Sequence, residues 1–154
     1  AHDRVGRGWR TLVQAEALAE ALRRHAVRDD AASDDDARLV VFDCRFSLAD
    51  TAAGEAAWRE ARLPGAHYAH LDRDLSGAHA PGAGRHPWPA AQAFAAWLQR
   101  NGVGPRTQVV AYDAGDGAFA ARLWWLLRCL GHADAAVLDG GWAPALWGSA
   151  PGFA

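Results

Sequence analysis

The stretch Gln108–Leu127, QVVAYDAGDGAFAARLWWLL, decides how the rest of the chain is read. Gln108 to Tyr112 is a short apolar run of the kind that forms a strand buried on both faces. Asp113 to Gly117 follows as a tight loop with two glycines, and Ala118 to Leu130 reads as a long apolar helix that Gly131 is suited to end. In such a strand–loop–helix the free backbone N–H groups of the helix N-terminus face the loop, which then cradles an anion or presents a nucleophile. Here the loop opens with a carboxylate, Asp113.

Working outward, Leu39 to Asp43 (LVVFD) and Ala135 to Leu138 predict two further buried strands, the second closed by the turn Asp139-Gly140-Gly141. A shorter extended piece is expected after Pro64-Gly65, around His67 to Leu71. Helices are expected over Gln14 to His25, Glu55 to Ala61 and Ala90 to Gln99, with a short one from Trp142; Pro89 suits the first turn of the third. Strands alternating with helices predict an α/β domain with a mostly parallel sheet, right-handed crossovers and helices on both faces. Arg28 to Asp36 reads as a solvated acidic loop, and Ser76 to Pro87 (SGAHAPGAGRHP) as a long loop of the kind that more often carries function. Residues 1–147 form one expected domain and 148–154 read as the start of a linker, as though the chain were cut there.

A chain of 154 residues with 51% hydrophobic residues can bury one real core. All 16 basic residues are Arg and stand against 18 acidic ones, with no concentrated basic face, which argues against nucleic acid as a partner. Apolar runs fall far short of the roughly 20 residues that cross a bilayer, so no membrane span is expected. Cys44 and Cys129 have neither metal-ligand spacing nor disulfide-scaffold density, which predicts reduced thiols, no metal, no organic cofactor and a cytoplasmic setting.

In parallel sheets ligands bind beyond the carboxyl ends of the strands, which directs attention to Asp43-Cys44-Arg45 and to Asp113-Ala114-Gly115-Asp116-Gly117-Ala118. A phosphoacceptor aspartate needs a neighbouring Lys, which the chain lacks; a dehalogenase-type nucleophile needs a second Asp two positions on; a Cys-x5-Arg phosphatase loop needs Cys at 113 and Arg at 119. None of the three is met. An anion entering the loop would also meet Asp113 and Asp116, a repulsion of about 1–4 kcal/mol near a surface. The residues by themselves therefore favour Asp113 or Asp116 as a cap for the helix N–H groups.

Five stretches carry a more specific likeness: LVVFDCRF (39–46), ARLPGAHYAHLDRDLSG (61–77), GRHPWP (84–89), QVVAYDAGDGAFAARLWWLLRCLGH (108–132) and VLDGGWAPALW (137–147). Together they resemble the N-terminal, non-catalytic domain of tandem-domain thiosulfate and 3-mercaptopyruvate sulfurtransferases of the rhodanese superfamily. The resemblance implies a rhodanese-like three-layer fold and, as partner, a second rhodanese domain in the same polypeptide. That second domain would carry the catalytic Cys, which takes up sulfane sulfur as a persulfide and passes it to cyanide or another thiophilic acceptor. Asp113 stands at the corresponding Cys position, so the resemblance implies a small sulfur-containing substrate for the parent enzyme and inactivity for this domain alone.

Where relatives commonly have His before Ile-Pro-Gly-Ala, this chain has Arg62 before Leu63-Pro64-Gly65-Ala66, which tilts the expected donor from mercaptopyruvate towards thiosulfate; the plainer reading is an ion pair with Glu60 or Asp72. Arg45, Arg62 and His86 are the residues expected to line a cleft shared with the second domain. Cys44 reads as a partly buried structural thiol, with an enzyme built on it the least favoured option, and Cys129 as core packing. The apolar helix from Ala118 is expected to be buried on more than one side, partly against the second domain. The alternative function is a stand-alone rhodanese-like binding module that recognises a protein through its tryptophan-rich face.

Overall fold

Two apolar alternations meet in each central strand, and they set the layers. The computed structural model describes residues 8–27, 38–79, 81–82 and 84–143. Its elements run β1 (Leu12–Val13), α1 (Ala15–Val27), β2 (Leu39–Asp43), α2 (Ala53–Glu60), β3 (His67–Tyr68), α3 (Ala91–Arg100), β4 (Gln108–Tyr112), α4 (Ala118–Cys129) and β5 (Ala135–Leu138). The five strands form one sheet in the order β1-β5-β4-β2-β3, and every pairing is parallel. β4 lies at its centre and all five of its residues are buried.

On one face Val40, Phe42, Val109, Ala111 and Val137 pack against α3 and α4. Trp97 of α3 lies 5.0 Å from the Phe42 ring, centroid to centroid. On the other face Val41, Val110, Tyr112, Ala136 and Leu138 pack against Leu18 of α1 and against Leu63 and Ala66. α2 joins that side through Trp58, whose Nε1 donates to the Ala66 carbonyl at 2.8 Å. Helices on both faces of a parallel sheet make the three-layer α/β architecture expected from the sequence.

Three strands stand where the sequence predicts them, and the others need correction. β1 was not anticipated; Val137 N–H donates to the Thr11 carbonyl and Asp139 N–H to that of Val13, both at 2.9 Å, which adds this two-residue strand to the sheet edge. β3 stops at Tyr68 rather than Leu71. Pro89 precedes the cap residue Ala90 instead of entering the first turn of α3. Trp142 and Ala143 are irregular, and the rest of the short helix expected from Trp142, with residues 148–154, lies outside the described residues, as does the acidic segment 28–36.

Gly117 (φ +86°) is the N-cap of α4, and Gly131 (φ +84°) follows its C-cap Leu130. Gly131 N–H donates to Arg128 O and His132 N–H to Leu127 O, both at 2.9 Å, the paired bonds of a Schellman terminus. Ala120, Leu123, Leu126 and Leu127 are buried while Trp125 remains 50% exposed, so among the described residues the helix is covered on one side.

Candidate functional site

β4 delivers Asp113 directly to the carboxyl edge of the sheet, where it is 1% exposed. Its Oδ1 accepts the N–H groups of Gly115 and Gly117, each at 3.0 Å, and its Oδ2 accepts that of Ala120 at 3.0 Å. Asp116 Oδ1 accepts the Ala118 N–H at 3.0 Å. Both aspartates therefore satisfy donors around the helix start, and the Asp113 carboxylate occupies the place an anion would take in the loop. The closing turn packs over it: Trp142 N–H donates to the Asp113 carbonyl at 2.8 Å. Gly141 (φ +64°) permits this approach, since a Cβ there would lie 2.7 Å from the Asp113 carbonyl oxygen.

A second buried system lies one residue back on β4, facing the opposite layer. Asp43 Oδ2 accepts Arg45 Nη2 at 2.6 Å and the Tyr112 hydroxyl at 2.9 Å, while Arg45 Nε reaches both carboxylate oxygens. Arg45 Nη2 also donates to the Ala61 carbonyl at 2.6 Å, and the guanidinium carbon lies 4.7 Å from the Trp142 ring centroid. Burial alone would lower the Arg45 pKa, but the hydrogen bond to Asp43 and its charge outweigh that and raise it. The Tyr112 and Tyr68 hydroxyls are pushed well up, first by burial and then by the Asp43 charge.

Cys44 is fully rather than partly buried, at 1% exposure. Burial first, and then the charges of Asp43, Asp113 and Asp74, push its thiol well above the usual cysteine range. Arg45, adjacent in sequence, gives its guanidinium to Asp43. Cys129 is exposed at the end of α4 and not part of the core, a correction that follows from its lying on the uncovered side of the helix.

The three residues expected to line a cleft take separate positions. Arg45 is 8% exposed and bound within the domain. Arg62 stacks over Trp58 at 4.5 Å and donates to its carbonyl, and it pairs with neither Glu60 nor Asp72. His86 lies across the edge on the long loop, with Nδ1 3.0 Å from Asp72 Oδ1. Arg122 escaped the sequence reading although it stands within Ala-Ala-Arg-Leu-Trp-Trp. It donates to the carbonyls of Leu75, His86 and Pro87 and lies 4.5 Å from the Trp88 ring, tying the long loop to α4. Its signal was an arginine set in the middle of a helix that is apolar from there to Arg128 in its last turn. Among the described residues no group of three or more His, Cys, Asp or Glu could hold a metal ion, and no helix is long and apolar enough to cross a membrane.

The domain is thus a parallel α/β unit whose central strand runs into an N–H-lined loop at a helix start, with its own carboxylate on the donors. Residues 25–144 match the family model of the rhodanese-like domain, and the chain belongs to that family. It is 50% identical over 107 residues to a Pseudomonas aeruginosa protein named "Probable 3-mercaptopyruvate sulfurtransferase", a match covering 68% of this chain and 38% of that protein. It is 36% identical over 135 residues to human 3-mercaptopyruvate sulfurtransferase, covering 86% of this chain and 42% of that one. The solved 3-mercaptopyruvate sulfurtransferase from Leishmania major superposes with a TM-score of 0.71 at 30% identity, over 86% of this chain and 33% of that one. The chain thus spans about two fifths of the length of these curated relatives. It is a rhodanese domain related to sulfurtransferases.

Proposed function

We propose that this chain is the non-catalytic N-terminal half of a tandem-domain sulfurtransferase. The observation that carries the reading is the Asp113 carboxylate accepting three backbone N–H groups in the loop. In an active loop of this shape those donors would stabilise a thiolate or persulfide at the helix N-terminus. A carboxylate is already an anion, so it satisfies the same donors permanently and has no sulfur to transfer.

In this reading the second domain supplies the reacting Cys. Its thiolate attacks the outer sulfur of thiosulfate, a new S–S bond forms, the original S–S bond breaks and sulfite leaves. Cyanide or another thiophile then takes the outer sulfur and returns the thiolate. This chain contributes the domain frame and one wall of the cleft. Half-exposed Trp125 on α4 and exposed Trp88 suit contact with a second domain. Arg62 in place of the family's His favours thiosulfate over 3-mercaptopyruvate as donor, and a cytoplasmic setting suits the reduced thiols.

The test is thiocyanate formation from thiosulfate and cyanide by this chain alone. The expected rate equals that of buffer, and turnover abolished by Cys44→Ser would overturn the proposal. In the complete reading frame, a second α/β domain with Cys heading its loop is expected; its absence would favour a stand-alone binding module.

A further inference from the structure

With the Asp113 loop filled by its own carboxylate, the open space on this edge of the sheet lies beside it. A cavity of about 310 Å3 separates the segment after β2 from the long loop before α3. Phe46, Leu48 and Thr51 line it from one side, and Asp72, Arg85 and His86 from the other.

Both walls are held in place. The Phe46 ring packs edge-on against Phe119 at 5.6 Å and His70 at 5.3 Å. The base of the glycine-rich loop is closed by Gly77 N–H donating to the Pro87 carbonyl at 2.8 Å, and Arg122 clamps the His86 carbonyl at 2.8 Å. A preformed pocket of this size falls at the small end of the range that takes small molecules.

Its charges are unevenly satisfied. Asp72, the carboxylate lining the cavity, has Oδ1 3.0 Å from His86 Nδ1 but outside hydrogen-bonding geometry. No carboxylate among the described residues pairs with Arg85. Both ring nitrogens of His86 are shielded from solvent, and neither has a hydrogen-bond partner among the described residues. Buried polar atoms are normally paired, and an imidazole carries an N–H on one nitrogen in either tautomer, so His86 beside an unpaired guanidinium leaves room for an acceptor supplied from outside. The neighbouring cavity of about 320 Å3 offers less: its Arg73 is engaged by Glu55 and Asp74, and no buried polar atom without a partner lines it beside Arg100.

We propose that this cavity binds a small carboxylate bearing a short carbon chain, its oxygens on Arg85 and its carbons against Phe46 and Leu48. The planar fork of a guanidinium matches a carboxylate. The apolar wall and the volume exceed what a bare inorganic anion fills, and the single unpaired Arg beside Asp72 disfavours a polyphosphate. The proposal does not depend on the silence of the Asp113 loop, and its test does not read sulfur transfer.

The experiment is a titration of the isotope-labelled 154-residue chain, followed by amide and arginine Nε–H resonances, with propionate, its neutral isostere propionamide, and sulfate. Propionate is expected to give saturable shifts around Gly84 to His86, propionamide none, and sulfate weaker shifts at the same residues. Arg85→Ala and Leu48→Asp should each weaken propionate binding by about tenfold or more. Both residues are exposed, so unchanged unfolding midpoints are expected to show that the variants remain folded. Equal binding of propionamide, undiminished binding by Arg85→Ala, or shifts absent or centred on other arginines would overturn the proposal. Sulfate binding as tightly as propionate would overturn the role of the carbon chain.

Discussion

Asp113 Oδ2 accepts the amide of Ala120, seven positions further along the chain, at 3.0 Å. The same carboxylate holds Gly115 and Gly117 through Oδ1, so one side chain fastens the end of the central strand to the first turn of α4. The loop is thus organised from inside by a covalently attached anion.

Removing that anion leaves three donors without their acceptor, at least one of them buried. Asp113→Ala is expected to lower unfolding stability by about 2–5 kcal/mol, since each orphaned buried donor costs roughly 1–3. Added sulfate should stabilise this variant more than the parent, because it binds the folded cradle only. Equal sulfate response of both proteins in denaturant melts would show that the loop is no anion cradle.

Asp113→Cys is expected to give at most weak thiocyanate production. Asp116 stays beside the new thiol, and among the described residues no substrate-binding Arg is arrayed at the loop: Arg45 is committed to Asp43 and Arg122 to three carbonyls. Steady turnover well above the parent would show that this frame needs only its thiol.

Arg45→Ala leaves Asp43 buried, with only the Tyr112 hydroxyl and the Arg45 backbone N–H to bond it. Breaking such a buried pair costs about 3–5 kcal/mol, whereas replacing both partners with apolar residues of similar size costs less. Asp43→Leu combined with Arg45→Met should therefore unfold at higher denaturant than Arg45→Ala alone. A double variant that melts below the single one would contradict this assignment.

The two thiols should behave differently. Cys129 is exposed and is expected to react promptly with a disulfide reagent, while Cys44 should react only on unfolding. Because the folded state raises the Cys44 pKa, first through burial, the unfolded chain releases this proton earlier as pH rises. Stability should thus be full below about pH 8.5, the ordinary cysteine value, and decline above it. Cys44→Ala should flatten that decline up to about pH 10, where the raised pKa values of Tyr68 and Tyr112 add a loss of the same sign. Urea midpoints of parent and variant across this range measure the difference.

The expected cleft residues illustrate where reading by position fails. Arg45 stands at a strand end, where a ligand-binding arginine would stand, yet Asp43 two residues earlier turns it inward. Cys44 shares that edge, but it points into the α3 and α4 layer among carboxylates, which makes its thiol hard to ionise. Arg122 stands among apolar residues in mid-helix, and its three carbonyl partners lie 35 to 47 positions away.

By itself the sequence determined the strands of the sheet centre, the helix that Gly131 ends, the parallel α/β class and the carboxylate at the head of the loop. Those features are local: strand and helix periods, glycine at positive φ, and the chemistry of one side chain are all written in neighbouring residues. Only the tertiary structure decided that β1 joins the edge beside β5, that one carboxylate gathers three N–H groups, and that Arg45 is buried beneath Trp142. β1 is two residues long, too short to display a period, and its partner lies 125 positions away in the chain. Such pairings are fixed by where distant segments pack, a property of the assembled core and not of any one stretch.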